Sequence, residues 1–483
     1  MSKEGKMKPK EFTEAYMPEM MATLGELIAI PSVFDEQSVT VGKPFGTKIA
    51  EALGLISQKA AAIGMRVKNY DGYAGEFTIG SEDKMVGILS HIDVVSAGEG
   101  WSCEPFRSRV IDGKIYGRGS SDDKGPTVAA LYAVKYLLDE GLLPAGTGIR
   151  MIIGADEEED WRCITHYLSK ADKLPQYAIV PDANFPLINC EKGLIDADFS
   201  YSCTQDNKEE RIQERDIYVE KLQGGIAKNV VPGKAYCVLR CSNEKIAETV
   251  KQKIGKFDRV SVKIEGELVQ IEVMGKSTHA MSPEKGINAI SALMQILGHL
   301  EAEFSMEPVA EKYNRYIGMH YYGEALGCEF EDEVSGKLTF NVGTLSYRDG
   351  TIKFGASIRY PATLCMESVL ERLTEQCKKA GIKISVCSKM AGLYIDAHTE
   401  FIQRLMDAYR KNSKDENAEP LAIGGATYAR AIPNAVAFGP LFPYEEELAH
   451  EADEYLAIDS LEKMTLIYIE ALQSLLHMVA EED

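Results

Sequence analysis

The chain has 483 residues, which is too long for one ordinary hydrophobic core and indicates two or more domains. Its contents of 45% hydrophobic and 26% charged residues are typical of globular proteins and exclude wholesale disorder. The formal net charge of −21 disfavours nucleic acids and anionic membranes as partners, because their phosphate groups repel such a chain.

The N-terminal region is predicted to be mostly helical. Residues 12–30 carry apolar side chains at helical spacing and end at Pro31, residues 46–63 form a second helix, and residues 65–70 a strand. The first residues are charged and lack the apolar core of a signal peptide, and no apolar run is long enough to cross a bilayer. We therefore expect a cytoplasmic protein with no membrane partner.

Three short apolar runs come next, and each ends in a polar cluster. Residues 85–89 lead to His91, residues 149–153 to the acidic segment DEEED, and residues 177–180 to Asp182. A helix predicted for residues 127–140, with Pro126 in its first turn, separates the first two runs. This alternation predicts a sheet of parallel strands, in which ligands bind beyond the carboxyl ends of the strands.

The pattern changes near residue 194. Period-two alternation predicts strands at residues 236–241, 260–264, 268–273, 351–358 and 382–386. Helices are predicted among them at residues 287–300 and 366–379. Few helices between many strands favour an antiparallel sheet with helices on one face.

Helical periodicity returns after residue 392, at residues 399–411 and 461–479, with one more buried strand at residues 435–438. The simplest topology has the second domain inserted into the first. We expect an α/β protein whose catalytic domain, residues 1–193 and 392–483, has a mostly parallel sheet flanked by helices. An inserted α+β lid domain with an antiparallel sheet spans residues 194–391.

The segment from His91 to Pro126 contains two halves of a candidate metal site. His91 offers an imidazole, and Asp93 is close enough in sequence to accept its second N–H, as carboxylates commonly do for metal-bound histidines. Asp122 lies in the Gly-rich turn GRGSSDDKG, and its two carboxylate oxygens are able to bridge two ions.

Residues that follow the other strands supply the remaining ligands. Glu157 and Glu158 are adjacent, so one is able to bind metal while the other serves as general base for an attacking water. Asp182 completes one metal, and His450 supplies the last imidazole. Three clustered carboxylates would repel one another without cations, and two divalent ions with a bridging hydroxide balance their charge.

Each signal has an ordinary interpretation when it is taken alone. His91 is also typical of a strand-end histidine with satisfied hydrogen bonds, and DEEED of a solvated acidic loop. The turn GRGSSDDKG resembles a phosphate loop but lacks the order GxxxxGK[ST]. The strand-end positions and the mixed ligand chemistry together favour a metal site. Oxygen ligands with two imidazoles suit Zn²⁺ best, and Mn²⁺ or Co²⁺ next.

Nine motifs resemble those of the M20 metallopeptidase family, and most closely those of its PepV-like dipeptidase branch, and they occur in the same order as in the family. They are HIDVV, GRGSSDDKGP, ADEEE, PDANFPLINCEKG, GGIAKNVVPGKA, HAMSPEKGINA, FGASIRYP, GGATYAR and AHEADE. The sequence departs from the family pattern at Ser96, in the longer acidic run, and at Trp161 after it.

The resemblance implies a role for each candidate residue. His91 and Asp182 would hold one metal, Glu158 and His450 the other, and Asp122 would bridge them beside a cis peptide at Asp123. Asp93 would orient His91, and Glu157 would be the base. From the lid, His279 would stabilise the oxyanion and Asn229 would assist it. Arg359 would bind the C-terminal carboxylate of the substrate, and Gly425 and Thr427 would line its pocket.

These observations predict a monomeric metallo-dipeptidase with two divalent ions, most suitably Zn²⁺, acting on dipeptides or short peptides. Deacylation of N-acyl amino acids, or an aminopeptidase or carboxypeptidase activity on short peptides, would use the same site. A catalytically silent metal-binding or peptide-binding protein is the alternative from a different class.

Overall fold

The computed structural model describes residues 6–203 and 215–482 and divides into two compact units. Unit 1 comprises Met1–Asn189, Ile395–Leu421 and Thr427–Asp483, and unit 2 comprises Cys190–Tyr394 and Ala422–Ala426. The first five residues of the charged N-terminal segment, on which the expectation about a signal peptide partly depends, lie outside the described residues.

The first part of unit 1 alternates helices and strands. Its helices are α1 (Pro9–Ile28), α2 (Thr47–Ala62), α3 (Lys124–Asp139) and α4 (Arg162–Lys170). Its strands are β1 (Arg66–Tyr70), β2 (Ala74–Gly80), β3 (Lys84–His91), β4 (Arg109–Ile111), β5 (Lys114–Tyr116), β6 (Thr147–Gly154), β7 (Tyr177–Val180), β8 (Ala183–Asn184) and β9 (Ile188–Glu191), the last of which continues into unit 2.

Unit 2 is dominated by strands. Its helices, within the described ranges, are α5 (Glu244–Ile254), α6 (Ala289–Glu301), α7 (Glu311–Tyr316) and α8 (Met366–Ala380). Its strands there are β10 (Gly193–Ser202), β11 (Ile217–Gly224), β12 (Lys234–Cys241), β13 (Val260–Glu265), β14 (Leu268–Met274), β15 (Glu331–Asp332), β16 (Gly336–Lys337), β17 (Thr339–Arg348), β18 (Thr351–Tyr360), β19 (Lys383–Met390) and β20 (Leu393–Tyr394).

The remainder of the chain returns to unit 1 except for Ala422–Ala426. It contains the helices α9 (Glu400–Ser413) and α10 (Ile458–Glu481) and the strands β21 (Leu421–Ile423), β22 (Ala435–Ala437), β23 (Pro440–Leu441) and β24 (Tyr455–Ala457). The predicted C-terminal helix is therefore confirmed and is longer than the sequence pattern indicated.

The sheet of unit 1 is parallel at its centre. The strand order is β1-β2-β6-β3-β7-β22-β9, and the pairs β6–β3, β3–β7 and β7–β22 are parallel. Almost every residue of β3 and β6 is buried, which requires cover on both faces of the sheet. Helices α3 and α10 contact β3 and each other. The predicted mostly parallel sheet with flanking helices is confirmed, with β1, β2 and β9 added in antiparallel orientation.

The main sheet of unit 2 is antiparallel, as predicted. In the part of the chain that the structure describes, its order is β13-β14-β12-β11-β17-β18-β10-β19. Alternate residues of β10 are buried in a core that includes Ile195, Ala197 and Phe199, while the residues between them are more exposed. Helices α5, α6 and α8 contact strands of this sheet and supply apolar residues to the core.

The parallel strands bring their carboxyl ends together at one edge. His91, the last residue of β3, pairs with Gly154, the last residue of β6, and β7 lies on the other side of β3. The polar segments that follow these three strands therefore start side by side. Among the residues that are described, no helix is both long and apolar enough to span a bilayer.

Candidate metal centre

His91 is fully buried at the end of β3, and its two ring nitrogens have different partners. Nδ1 lies 3.0 Å from the backbone oxygen of Asp93 and 3.5 Å from its carboxylate. A carbonyl oxygen only accepts hydrogen bonds, so Nδ1 carries a proton and Nε2 is left to face the site. Nε2 is 3.1 Å from a carboxylate oxygen of Asp122 and 3.7 Å from one of Asp182.

Asp122 lies between two imidazoles. Its Oδ1 faces His91, and its Oδ2 is 3.1 Å from Nε2 of His450. The same His450 nitrogen is 2.9 Å from Oε2 of Glu158. The side chains thus form two groups, His91–Asp122–Asp182 and Asp122–Glu158–His450, and the ligand atoms of each group lie within 4.8 Å of one another.

The electrostatics of these side chains fit bound cations. Burial raises the pKa of Glu158 and of Asp182, because each carboxylate is removed from water next to other carboxylates. Hydrogen bonds to Asp122 and Glu158 raise the pKa of His450 to about 10. The raised pKa values mean that Glu158, Asp182 and His450 hold protons more readily when no cation is bound. A metal ion would displace these protons, because a side chain must be deprotonated to bind metal. Carboxylate oxygens with imidazole nitrogens suit Zn²⁺, Mn²⁺ or Co²⁺.

The turn before α3 separates two adjacent aspartates. Gly119 has a φ of +84°, and a Cβ atom there would lie 2.8 Å from Val94, so glycine is required. The peptide bond between Asp122 and Asp123 is cis. The carboxylate of Asp123 turns away from the imidazoles and accepts hydrogen bonds from the hydroxyl of Ser90 and the backbone N–H of His91. Asp122 alone of the pair faces the two histidines.

Glu157 and Glu158 follow β6 and diverge. Glu158 contacts His450, and its backbone N–H donates to the carboxylate of Asp93 at 3.0 Å. Glu157 belongs to neither ligand group, and its Oε1 accepts a hydrogen bond of 3.1 Å from the indole of Trp161. Burial, reinforced by Asp182, raises the pKa of Glu157 well above its usual value.

Glu454 and Arg118 were not singled out in the sequence. Both are buried, and Oε2 of Glu454 accepts a hydrogen bond of 2.8 Å from Arg118. Oε1 of Glu454 accepts from the backbone N–H groups of Ser121 and Asp122 at 2.8 and 3.2 Å. Arg118 also donates to the backbone oxygen of His450 at 3.1 Å. The pair therefore joins the segments that carry two candidate ligands. Arg118 lies in the Gly-rich turn GRGSSDDKG, but no sequence pattern indicated its burial or its pairing with Glu454.

The other predicted residues are divided between the units. In unit 2, Val230, which follows Asn229, forms an antiparallel bridge with His279. The backbone N–H of Ala280 donates to the backbone oxygen of Asn229 at 2.9 Å. Burial, with a smaller effect of Arg359, lowers the pKa of His279. Arg359 lies in β18, opposite Thr339 of the neighbouring strand β17. The hydroxyl of Thr339 donates a hydrogen bond of 3.3 Å to the backbone oxygen of Ala280, the residue after His279.

Gly425 belongs to the short segment Ala422–Ala426 of unit 2. A Cβ atom on its neighbour Gly424 would lie 2.8 Å from Cβ of Met281, which places this segment next to the His279 loop. Thr427 belongs to unit 1, where its hydroxyl accepts a hydrogen bond of 3.2 Å from the N–H of Ala429. The structure thus groups His279, Asn229 and Arg359 within one unit and the two ligand groups within the other.

Comparisons with known proteins agree on one family. The sequence profile described as Peptidase family M20/M25/M40 matches residues 87–474. The chain is 37% identical over 453 residues to "Putative dipeptidase YtjP" of Bacillus subtilis (strain 168), which covers 93% of this chain and 96% of that protein. It is 34% identical to "Putative dipeptidase SH1171" of Staphylococcus haemolyticus (strain JCSC1435), with 96% and 99% covered.

Solved structures share the fold at low sequence identity. Aminoacylhistidine dipeptidase from Vibrio alginolyticus aligns with a TM-score of 0.57 at 15% identity, covering 96% of this chain and 98% of that one. Human carnosine dipeptidase 1 aligns with a TM-score of 0.56 at 15% identity, covering 97% and 98%. The profile match over most of the chain, together with the two bacterial relatives, shows that this chain is a hydrolase belonging to peptidase family M20/M25/M40.

Proposed function

We propose that this peptidase is a metal-dependent dipeptidase that uses a water molecule to hydrolyse the peptide bond of dipeptides. The observation that carries the proposal is the pair of ligand groups that share Asp122, with the carboxylate of Glu157 outside both groups. The printed names of the bacterial relatives favour dipeptides as the substrate class.

Five side chains would hold two divalent ions, most suitably Zn²⁺. His91 and Asp182 would bind one ion, Glu158 and His450 the other, and Asp122 would bridge them. When bound, the ions would supply Lewis acidity that lowers the pKa of the attacking water toward about 7. Asp93 would hold the His91 ring in position, because the proton on Nδ1 points at its backbone oxygen.

Glu157 would act as the general base and then as the general acid. Its carboxylate would take a proton from the attacking water and return it to the leaving amine. Burial raises the pKa of Glu157, which makes its carboxylate a stronger proton acceptor and allows it to hold the proton between the two steps.

Residues of unit 2 would act on the substrate. His279 would donate a hydrogen bond to the oxygen of the scissile carbonyl, with Asn229 assisting. Arg359 would pair with the C-terminal carboxylate, for which the planar guanidinium is well shaped. Gly425 and Thr427 would line the substrate pocket. The proximity of His279, Asn229 and Arg359 within unit 2 supports this assignment.

We further propose that residues 1–193 and 392–483 form the catalytic domain and residues 194–391 the lid. Closure of a lid over the substrate would exclude water and commit the substrate to reaction. The chain would act as a monomer in the cytoplasm.

A substrate panel tests the proposal. The purified chain would be assayed against dipeptides, tripeptides and N-acyl amino acids, with and without chelator, and after addition of Zn²⁺ or Mn²⁺. We expect dipeptides to be hydrolysed fastest, chelator to abolish hydrolysis, and metal to restore it. Faster turnover of tripeptides or N-acyl amino acids would replace the dipeptidase assignment, and no hydrolysis by the metal-loaded chain would favour a binding protein.

A further inference from the structure

Trp161 contacts the carboxylate that the proposed function assigns as the base. Its indole Nε1–H donates a hydrogen bond of 3.1 Å to Oε1 of Glu157. A carboxylate accepts hydrogen bonds through both oxygens, so a donor fixed on Oε1 leaves Oε2 for a second partner. We propose that Trp161 is a positioning residue that sets the orientation of Glu157 for proton transfer. This inference rests on the proposed function.

The backbone of Trp161 is fixed at both ends. Its N–H donates to the backbone oxygen of Asp156 at 3.0 Å, and its own oxygen accepts from the N–H of Thr165 at 3.2 Å in the first turn of α4. Its φ of +56° lies in the left-handed region, which a bulky side chain seldom adopts. The turn DEEEDW therefore reverses tightly enough for an indole to reach the carboxylate four residues before it.

The ring of Trp161 also has a rigid support. It packs edge-on against Tyr428, with the ring centroids 5.2 Å apart and the planes at 86°. Tyr428 is fully buried, and its hydroxyl lies 2.6 Å from the sulfur of Cys163. The indole therefore has little freedom to follow Glu157 and instead holds it. Geometric precision of this kind matters because proton transfer requires hydrogen-bond distance in the productive complex.

The chain allows a spectroscopic test of the contact without any turnover. It contains two tryptophans, so the indole region of a ¹⁵N–¹H spectrum holds two signals, and Trp161→Phe assigns them. The indole of Trp101 donates to the backbone oxygen of Ala97 at 2.7 Å and serves as the internal reference. Glu157→Gln should move the Trp161 signal, because a neutral amide oxygen is a weaker acceptor than a carboxylate.

Glu159 provides the matched control, since it is exposed and lies two residues away. Glu159→Gln removes the same charge and should leave both indole signals in place. Equal shifts in the two variants, or no shift in Glu157→Gln, would overturn the contact. The shifts are read on the native Trp161 ring, and Trp101→Phe assigns the two signals equally well if Trp161→Phe does not fold.

Kinetics then test the positioning role. Trp161→Phe keeps an aromatic ring but has no donor, and we expect kcat to fall by about tenfold with KM and metal content unchanged. In a Glu157→Asp background the shorter carboxylate is out of reach, so adding Trp161→Phe should cause no further loss. An equal loss in both backgrounds, or a loss confined to KM, would overturn the positioning role. Inactivity of the wild type against every dipeptide would instead overturn the proposed function, while the indole signals would still decide the contact.

Discussion

The buried carboxylate of Glu454 lies 2.8 Å from the buried guanidinium of Arg118. The two residues are far apart in the sequence, and each reaches a different ligand segment. Glu454 accepts the backbone N–H of Asp122, and Arg118 donates to the backbone oxygen of His450. The ion pair therefore fixes the distance between two side chains that the proposed function places on the same metal ion.

Glu454→Gln should weaken both folding and metal binding. The substitution leaves the Arg118 charge buried without its counter-charge, which costs about 3–5 kcal/mol of unfolding free energy. Loss of a residue that holds metal ligands in position typically lowers metal affinity by about 10–100-fold. Denaturant unfolding and titration calorimetry with Zn²⁺ would measure the two effects. The exposed Glu451→Gln serves as control, and identical behaviour of the two variants would refute the role of Glu454.

Glu157→Gln should abolish turnover while metal content stays near normal. Glu157 lies outside both ligand groups, so its loss removes a proton acceptor and leaves the metal ligands in place. Loss of a general base lowers kcat by about 10²–10⁴-fold. Steady-state kinetics and elemental analysis on the same preparation would measure both quantities. Substantial remaining activity would refute the base assignment, and loss of metal would make Glu157 a ligand.

Arg359→Ala should raise KM for dipeptides that have a free C-terminal carboxylate. Truncation removes the proposed charge-assisted pair, which contributes about 1.5–3 kcal/mol, or roughly 10- to 150-fold in KM. The same dipeptides with an amidated C-terminus should show little change, because they lack the carboxylate. Parallel kinetics on the two substrate series would decide. Equal effects on both series would remove the proposed role of Arg359.

The stability of unit 2 should depend on the titration of Glu301. Burial raises the pKa of this carboxyl group to about 7, and Glu311 contributes in the same direction. The folded state therefore favours the protonated form of Glu301. The stability that this preference contributes is fully present below pH 4.5, the ordinary pKa of the group, and is lost as the pH rises through about 7.

Glu301→Gln removes this titration. Between pH 5 and pH 8, the unfolding free energy of the wild type should fall by about 1–2 kcal/mol more than that of the variant. This value is reduced from the full effect because Glu301 is partly exposed to solvent. Thermal unfolding at closely spaced pH values would measure the difference. Parallel pH profiles for the two proteins would contradict the prediction.

The parallel centre of the fold was predictable because its strands carry continuous apolar runs. The three runs correspond to β3, β6 and β7, and the polar residues after them start at one edge of the sheet. Glycines and polar residues obscured β2, whose Glu76 is buried through hydrogen bonds from Tyr70 and Tyr167. Tertiary partners of this kind are absent from any local pattern.

The two helices predicted among the strands of unit 2 are confirmed as α6 and α8, but the sequence analysis missed α5 and the short α7, which are also present in its described part. The signal for α5 was available: Asn243 accepts a hydrogen bond from the N–H of Ile246 as an N-cap. The Glu454–Arg118 pair had no comparable signal. Its importance comes from a contact between distant segments, and one acidic residue among many does not reveal its partner.

Metal stoichiometry tests the central claim most directly. Metal-free chain would be titrated with Zn²⁺ and the bound metal measured after desalting, for the wild type and for Asp122→Asn. If Asp122 bridges two ions, the wild type binds two equivalents per chain and the variant loses affinity for both. Binding of one equivalent or none by the wild type, or two undiminished equivalents in Asp122→Asn, would contradict the shared site.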